Sequence, residues 1–267
     1  MAFTMSDIQK GVKKMARKIV IYGPPKLGKS TLAGSTEKAL MIPTEDRVAH
    51  IKCDKTPVVT SLKEITEIFN FLLKKENKHG YKRIIIDTLD WLEPLIHQAV
   101  VEDLKSSGKK VESITDDHTK ETAFQKGLKY LAVNKWKDFL ANCDALRAAG
   151  FDIILVAHSQ TITINPPNSD PYDKYVMKID KHSLAVIEEW ADVIAFYDKK
   201  VFLKTDSSGI NKKNKATQGS ERVMYLSGNN PAMINGNSFG LEDIVDGGIT
   251  LANCSAIMEW LLTESNN

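Results

Sequence analysis

Long apolar runs are missing from this chain. The longest, Phe151 to Ala157, is far shorter than the roughly 20 residues that cross a bilayer. No apolar segment follows the basic residues near the start, so neither a membrane partner nor a signal peptide is expected. Cysteine is scarce. Cys53, Cys143 and Cys254 lie far apart with no Cys-x-x-Cys or Cys/His spacing, which argues against zinc and a disulfide framework and suits a reduced cytoplasm. Arginine is scarce too: Arg17, Arg47, Arg83, Arg147 and Arg222 are scattered along the sequence. A large charge of one sign is also absent. The net charge is +2, so any nucleic-acid surface has to come from local clustering.

What is present suits a soluble globular protein, with 42% hydrophobic and 26% charged residues in 267. Residues 1–15 read as a basic lead-in and 16–267 as one domain. Lys10, Lys13, Lys14, Arg17 and Lys18 face only Asp7 in the first 18 positions. That is either a solvated amphipathic segment or an arm for polymerisation or DNA contact, with Phe3 able to insert into a neighbour.

From Ala16 strands alternate with helices, the signature of a mostly parallel sheet covered on both faces. Lys18–Tyr22, Ala39–Ile42, Arg83–Asp87 and Phe151–His158 read as buried strands. Between them, Ser61 and Glu64 make a capping box for a helix with Ile65, Ile68, Phe69, Leu72 and Leu73 on one face. A helical excursion covers about 91–149, with helices near 91–106 and 122–148. Residues 159–175, rich in proline, read as irregular. A short helix at 184–190, strands at 192–197 and 200–203, a basic antiparallel hairpin over about 199–226 and a final helix at 252–263 complete the expectation.

Gly23-Pro24-Pro25-Lys26-Leu27-Gly28-Lys29-Ser30 matches G-x-x-x-x-G-K-[ST] between a strand and a helix. Glycines let the backbone curl so that successive N–H groups face phosphate oxygens, and the helix start adds partial positive charge. Lys29 then reaches the β- and γ-phosphates of ATP, and the Ser30 hydroxyl, with Thr31 beside it, ligates Mg²⁺. Asp87 ends an apolar strand, where a carboxylate is costly unless a cation such as hydrated Mg²⁺ sits there.

Several classes drop out. An Asn-Lys-x-Asp guanine reader is missing, because Asn134-Lys135-Trp136-Lys137-Asp138 is one residue too long. A phosphotransferase that clamps a migrating phosphoryl group needs clustered arginines. Thr88, not glutamate, follows Asp87, so the catalytic base has to come from elsewhere. Glu45, just past the second strand, sits at the carboxyl edge where ligands of open α/β sheets bind, and can orient the attacking water. Asp46 competes for that role, and a solvated loop acid is the plainer alternative. His158 ends a strand on the same edge. It either senses the γ-phosphate and passes its presence to residues 159–181, or is simply satisfied by backbone.

The arrangement resembles the RecA family, and within it the short RecA-like ATPases of bacteriophages that support single-strand annealing and recombination. The resemblance rests on Tyr22 to Thr31, Pro43-Thr44-Glu45, Ile84 to Thr88, Leu146 to His158, Glu188 to Ile194 and Asn237 to Ile244. It implies a RecA-like P-loop core in the host bacterial cytoplasm, loops that face single-stranded DNA, and self-association into a ring or filament with ATP between subunits. An annealing or single-strand-binding protein is a further implied partner. Lys26 stands where the family often has glycine, and Asp46-Arg47 where it commonly has Gly-Gly. Asn235-Gly-Asn-Ser238 lacks the cations that relatives carry, which leaves Lys178 and Lys181 as substitutes.

For DNA contact the candidates are Lys204, Lys212, Lys213 and Lys215 in the basic hairpin, where no aromatic lies between 207 and 219, and Tyr172 and Tyr175 as stacking surfaces. A solvated hairpin is the plainer reading. The other functional reading is a nucleotide-gated protein that docks on a replication or annealing partner and binds little DNA itself.

Overall fold

The computed structural model describes residues 15–206 and 213–263, with positions 4, 8 and 11 before them. Along 201–206 and 213–218, and at 220, 246 and 247, it describes the backbone alone. The first half runs β1 (Lys18–Gly23), α1 (Lys29–Gly34), β2 (Ala39–Pro43), β3 (Asp54–Lys55), α2 (Leu62–Leu73), β4 (Arg83–Asp87) and α3 (Leu89–Ser106). A π-helical turn at Gly127–Ala132 leads into α4 (Val133–Ala148), then β5 (Asp152–Ile164), β6 (Tyr172–Met177) and α5 (Lys181–Trp190). β7 (Val193–Asp206), β8 (Lys213–Tyr225), β9 (Gly236–Asn237), β10 (Ile244–Ile249) and α6 (Cys254–Thr263) follow.

The strands order as β10-β8-β7-β1-β5-β4-β2-β3, with β6 on β5 and β9 on β7. From β7 to β3 neighbouring strands on this path are parallel; β8, β10 and the two added strands pair antiparallel. Two cores explain the apolar runs, because alternate residues of each central strand enter opposite faces. Val20, Tyr22, Ile84 and Ile86 join α2, α3, α4 and α5 in one, while Ile19, Ile21, Ile85 and Ile154 join α1 and α6 in the other. The expected α/β class, with its antiparallel C-terminal part, is what the chain forms.

Ser61 caps α2 by accepting the Glu64 N–H at 3.3 Å. The Glu64 carboxylate reaches Thr60, N–H and hydroxyl, rather than Ser61. Other details also depart from the expectation. Residues 159–164 are not irregular: β5 continues through them and pairs with β6 from Ser159↔Met177 to Ile164↔Tyr172. The prolines occupy the turn and leave both ladders free. The two strands expected at 192–197 and 200–203 are one strand, β7. The helix expected from 122 starts at 127, and Lys213–Gly219, expected in a hairpin tip, lies in β8.

Candidate functional site

β1 ends at Gly23 because the chain passes close to β7 there. A Cβ on Gly23 would lie 1.9 Å from the Tyr197 carbonyl oxygen. The loop then curls through two left-handed residues, Lys26 at φ 64° and Gly28 at φ 90°. Glycine fits such a backbone without strain; Lys26 adopts it as a non-glycine residue, which is uncommon. Pro25, Lys26, Gly28, Lys29, Ser30 and Thr31 line a cleft of about 370 Å³. Gly23 and Pro24 shape the loop behind them, and Leu27 points into the core.

Lys29 is buried, and its Nζ donates to the carbonyls of Gly23 at 2.9 Å and Pro24 at 2.8 Å. Burial pushes its ammonium down to about 8, against the pull of Asp87, Asp90 and Glu45. These three acids come from β4, α3 and the end of β2. Registers Pro43↔Asp87, Asp87↔Val156 and Gly23↔His158 place the strand ends on one edge of the sheet. β5 lies between the strand of the phosphate loop and the strand of Asp87.

A hydroxyl fastens this edge. Thr44 Oγ1 donates to the Thr88 carbonyl at 2.8 Å and accepts the Thr88 N–H at 2.7 Å, and the Thr44 N–H donates to the Asp87 carbonyl at 2.8 Å. Glu45, the next residue, is half-buried and lines the cleft, whereas Asp46 is exposed and does not. The geometry thus separates two acids that the sequence left in competition.

Asp87 is fully buried, and neither carboxylate oxygen has a hydrogen-bond partner of good geometry. Burial pushes its pKa up to about 6, opposed by the Ser30 hydroxyl, Lys29 and His158 and reinforced by Glu45. An orphaned buried carboxylate beside a serine hydroxyl fits a magnesium ion, which takes few protein ligands and completes its shell with water and phosphate oxygens. Among the described residues no cluster of three or more His, Cys, Asp or Glu forms a metal cage.

His158 lines the cleft but is not at a strand end, since β5 runs six residues beyond it. Its ring is not satisfied by backbone: Nδ1 lies 2.8 Å from Asp90 Oδ2, and its N–H donates to Asp90 Oδ1 at 2.9 Å. Asp90, which holds His158 without lining the cleft, was missed by sequence reasoning, as were Arg47 and His50, which do line it. Asp90 sits three residues after Asp87 and Arg47 two residues after Glu45, so proximity to the motif was the available signal.

The remaining candidates lie elsewhere. Tyr172 and Tyr175 are on β6, not in a loop, and the Tyr175 ring stacks on Phe196 at 5.0 Å between centroids. Lys178 lines a second cavity of about 620 Å³ rather than the cleft, and Lys181 opens α5. The side chains of Lys204, Lys213 and Lys215, and all of Lys212, lie outside what the structure describes. Several residues that carried the resemblance are structural. Asp192 accepts from the Lys18 N–H and Arg147 at 3.0 Å each, and Asn237 satisfies four backbone groups.

A strand–loop–helix phosphate loop, with acids gathered at the carboxyl edge of a parallel sheet, defines a P-loop nucleotide-binding protein. The chain belongs to the AAA domain family AAA_24, whose model matches residues 15–233. Among solved structures it is similar to a KaiC-like protein from the hyperthermophilic archaeon Pyrococcus horikoshii OT3, at 10% identity and a TM-score of 0.38, over 79% of this chain and 86% of that one. No curated protein matches it in sequence. Among the described residues no helix is long and apolar enough to cross a membrane.

Proposed function

We propose that this protein hydrolyses ATP with Mg²⁺ and couples turnover to single-stranded DNA in phage recombination or annealing. The observation that carries the catalytic part is the gathering of Lys29, Glu45 and the unpartnered Asp87 at one sheet edge. Lys29 exchanges its two loop carbonyls for oxygens of the β- and γ-phosphates, keeping its charge-assisted bonds. Ser30 and Asp87 would hold the metal, which supplies charge neutralisation on the phosphates when bound. Glu45 orients a water and takes its proton as the oxygen–phosphorus bond forms and the bond to the ADP oxygen breaks. Arg47, on the loop after β2, adds positive charge to the cleft mouth, with His50 beside the same cleft.

The DNA part is supported by the lysines of the β7–β8 hairpin and by the resemblance to RecA-like phage proteins. Self-association into a ring or filament belongs to the same reading. A second reading is a nucleotide-gated protein that docks on a replication or annealing partner and binds little DNA itself. It is favoured by one observation: the Tyr175 ring stacks on Phe196, so one of its two faces is already taken.

ATP turnover with and without single-stranded DNA, over a range of protein concentrations, separates them. Stimulation by DNA, with specific activity rising with concentration, supports the first reading. Tight ATP retention, slow turnover and no salt-sensitive DNA affinity support the second. Lys29→Ala abolishes turnover and ATP retention under either, and a Lys29→Ala variant as active as wild type refutes both.

A further inference from the structure

The first turns of α3 carry two carboxylates three residues apart, Asp90 and Glu93, which therefore share a face. Each grips one root of the β5–β6 hairpin. Asp90 takes both the backbone N–H and the ring Nδ1 of His158 on β5. Glu93 accepts the Asp180 N–H, just past β6, at 2.9 and 3.2 Å. The two roots also bond each other, the Lys178 N–H donating to the His158 carbonyl at 2.8 Å.

Asp90 and His158 stand on opposite sides of a wall. His158 lines the nucleotide cleft and Asp90 does not; Asp90 lines the second cavity and His158 does not. Burial favours the neutral acid at Asp90, but hydrogen bonds from the His158 ring and backbone outweigh it and hold the carboxyl below its ordinary range. An ionised carboxylate only accepts, so Nδ1 is the donor. The two imidazole nitrogens lie on different sides of the ring, and with Nδ1 committed to Asp90 the free Nε2 belongs to the cleft side.

We infer that Asp90 is a positioning residue that fixes the His158 ring through Nδ1 and turns Nε2, left as an acceptor, toward the water beside the terminal phosphate of a nucleotide in the cleft. This rests on reading the cleft as an ATP site. Because the same carboxylate holds the His158 backbone, a shift of the ring toward that water also pulls on the root of the hairpin.

The test combines a spectroscopic readout with a double-mutant cycle on the full chain. Nitrogen-15 NMR of labelled histidine reads which ring nitrogen carries the proton, and the His158 signals, among six histidines, are assigned by their loss in His158→Gln. The expected wild-type state is Nδ1–H, and Asp90→Asn, whose amide donates to that nitrogen, moves the proton to Nε2. In turnover assays Asp90→Asn lowers kcat on the order of 10²-fold with little change in KM. The double variant Asp90→Asn/His158→Gln is no slower than His158→Gln alone, because Asp90 acts through the ring. Should Asp90→Asn melt out, Asp90→Glu replaces it in both assays, keeping the Nδ1 proton and still losing kcat because the grip is displaced by a methylene. Wild-type Nδ1 without a proton, or losses that multiply in the double variant, overturn the inference. Failure of wild type to retain ATP overturns the function proposed above instead, and is seen before any Asp90 variant is made.

Discussion

At the scale of single residues, the cleft depends on one hydroxyl. The Thr44 hydroxyl ties the end of β2 to Thr88, donating to its carbonyl and accepting its N–H. Thr44→Val keeps the shape but leaves the buried Thr88 N–H without an acceptor, a loss of about 1–3 kcal/mol. Urea unfolding should show that loss, and Thr44→Ser should recover most of it. The neighbouring acids divide in the same local way. Glu45→Gln should lower single-turnover hydrolysis by about 10²- to 10⁴-fold while ATP is still retained on a filter. Asp46→Asn, altering an exposed side chain off the cleft, should leave the rate within about twofold, as surface changes usually do. Equal losses from both would remove Glu45 from its proposed role.

At the scale of elements, α3 is the part that joins cleft to hairpin. Its Glu93 faces Asp90, His97 and Asp180 and lies in the cavity that Lys178 also lines. Burial pushes Glu93 up to about 7 from its ordinary 4.5, against the Asp180 N–H and with help from the Asp180 and Asp90 charges. Between those values the folded state keeps a proton that the unfolded chain has lost. The stabilising contribution is therefore complete below the unfolded pKa and declines as pH rises through the folded one. Glu93→Gln keeps a neutral group at that position. Its melting temperature relative to wild type should rise between about pH 5 and about pH 8, measured by circular dichroism. A pH-independent difference would show that Glu93 stays ionised in the folded protein.

At the scale of the whole molecule, the sheet joins the nucleotide half to the C-terminal half through the β1–β7 pair. At Gly23 there is no room for a side chain, because the atom that a new Cβ would strike is the Tyr197 carbonyl oxygen, which cannot rotate away. Gly23→Ala should cost about 3 kcal/mol. For a chain of this size that lowers the melting temperature by about 10 °C, and it disturbs the phosphate loop at its first residue. A thermal shift assay reads it directly, and an unchanged melting temperature would mean that the strands part at no cost. On the opposite edge, Arg147 bonds the Ala16 carbonyl at 2.6 Å as well as Asp192, and Arg17 reaches the Leu261 carbonyl at 2.5 Å with its guanidinium over Phe239. The β1 strand is thus anchored at its start by the helical side and by α6, and at its end by β7.

The linear sequence was sufficient for features set by short-range physics. Strand–glycine–helix spacing marks the phosphate loop, continuous apolar runs mark strands buried on both faces, and Ser61 with Glu64 marks a helix start. Pro43-Thr44-Glu45 and Asp87 could be assigned to one sheet edge because parallel strands with helical crossovers all point the same way. Tertiary structure decided what depends on partners distant in the chain. Whether residues 159–164 extend β5 rested on β6 across a proline turn, since β-branched residues take a ladder when a partner strand offers one. Glu45 was separated from Asp46 by which of them turned into the cleft. Asp90 gained its place because the helix after β4 starts beside β5, a neighbour 68 residues away in sequence that no local pattern could name.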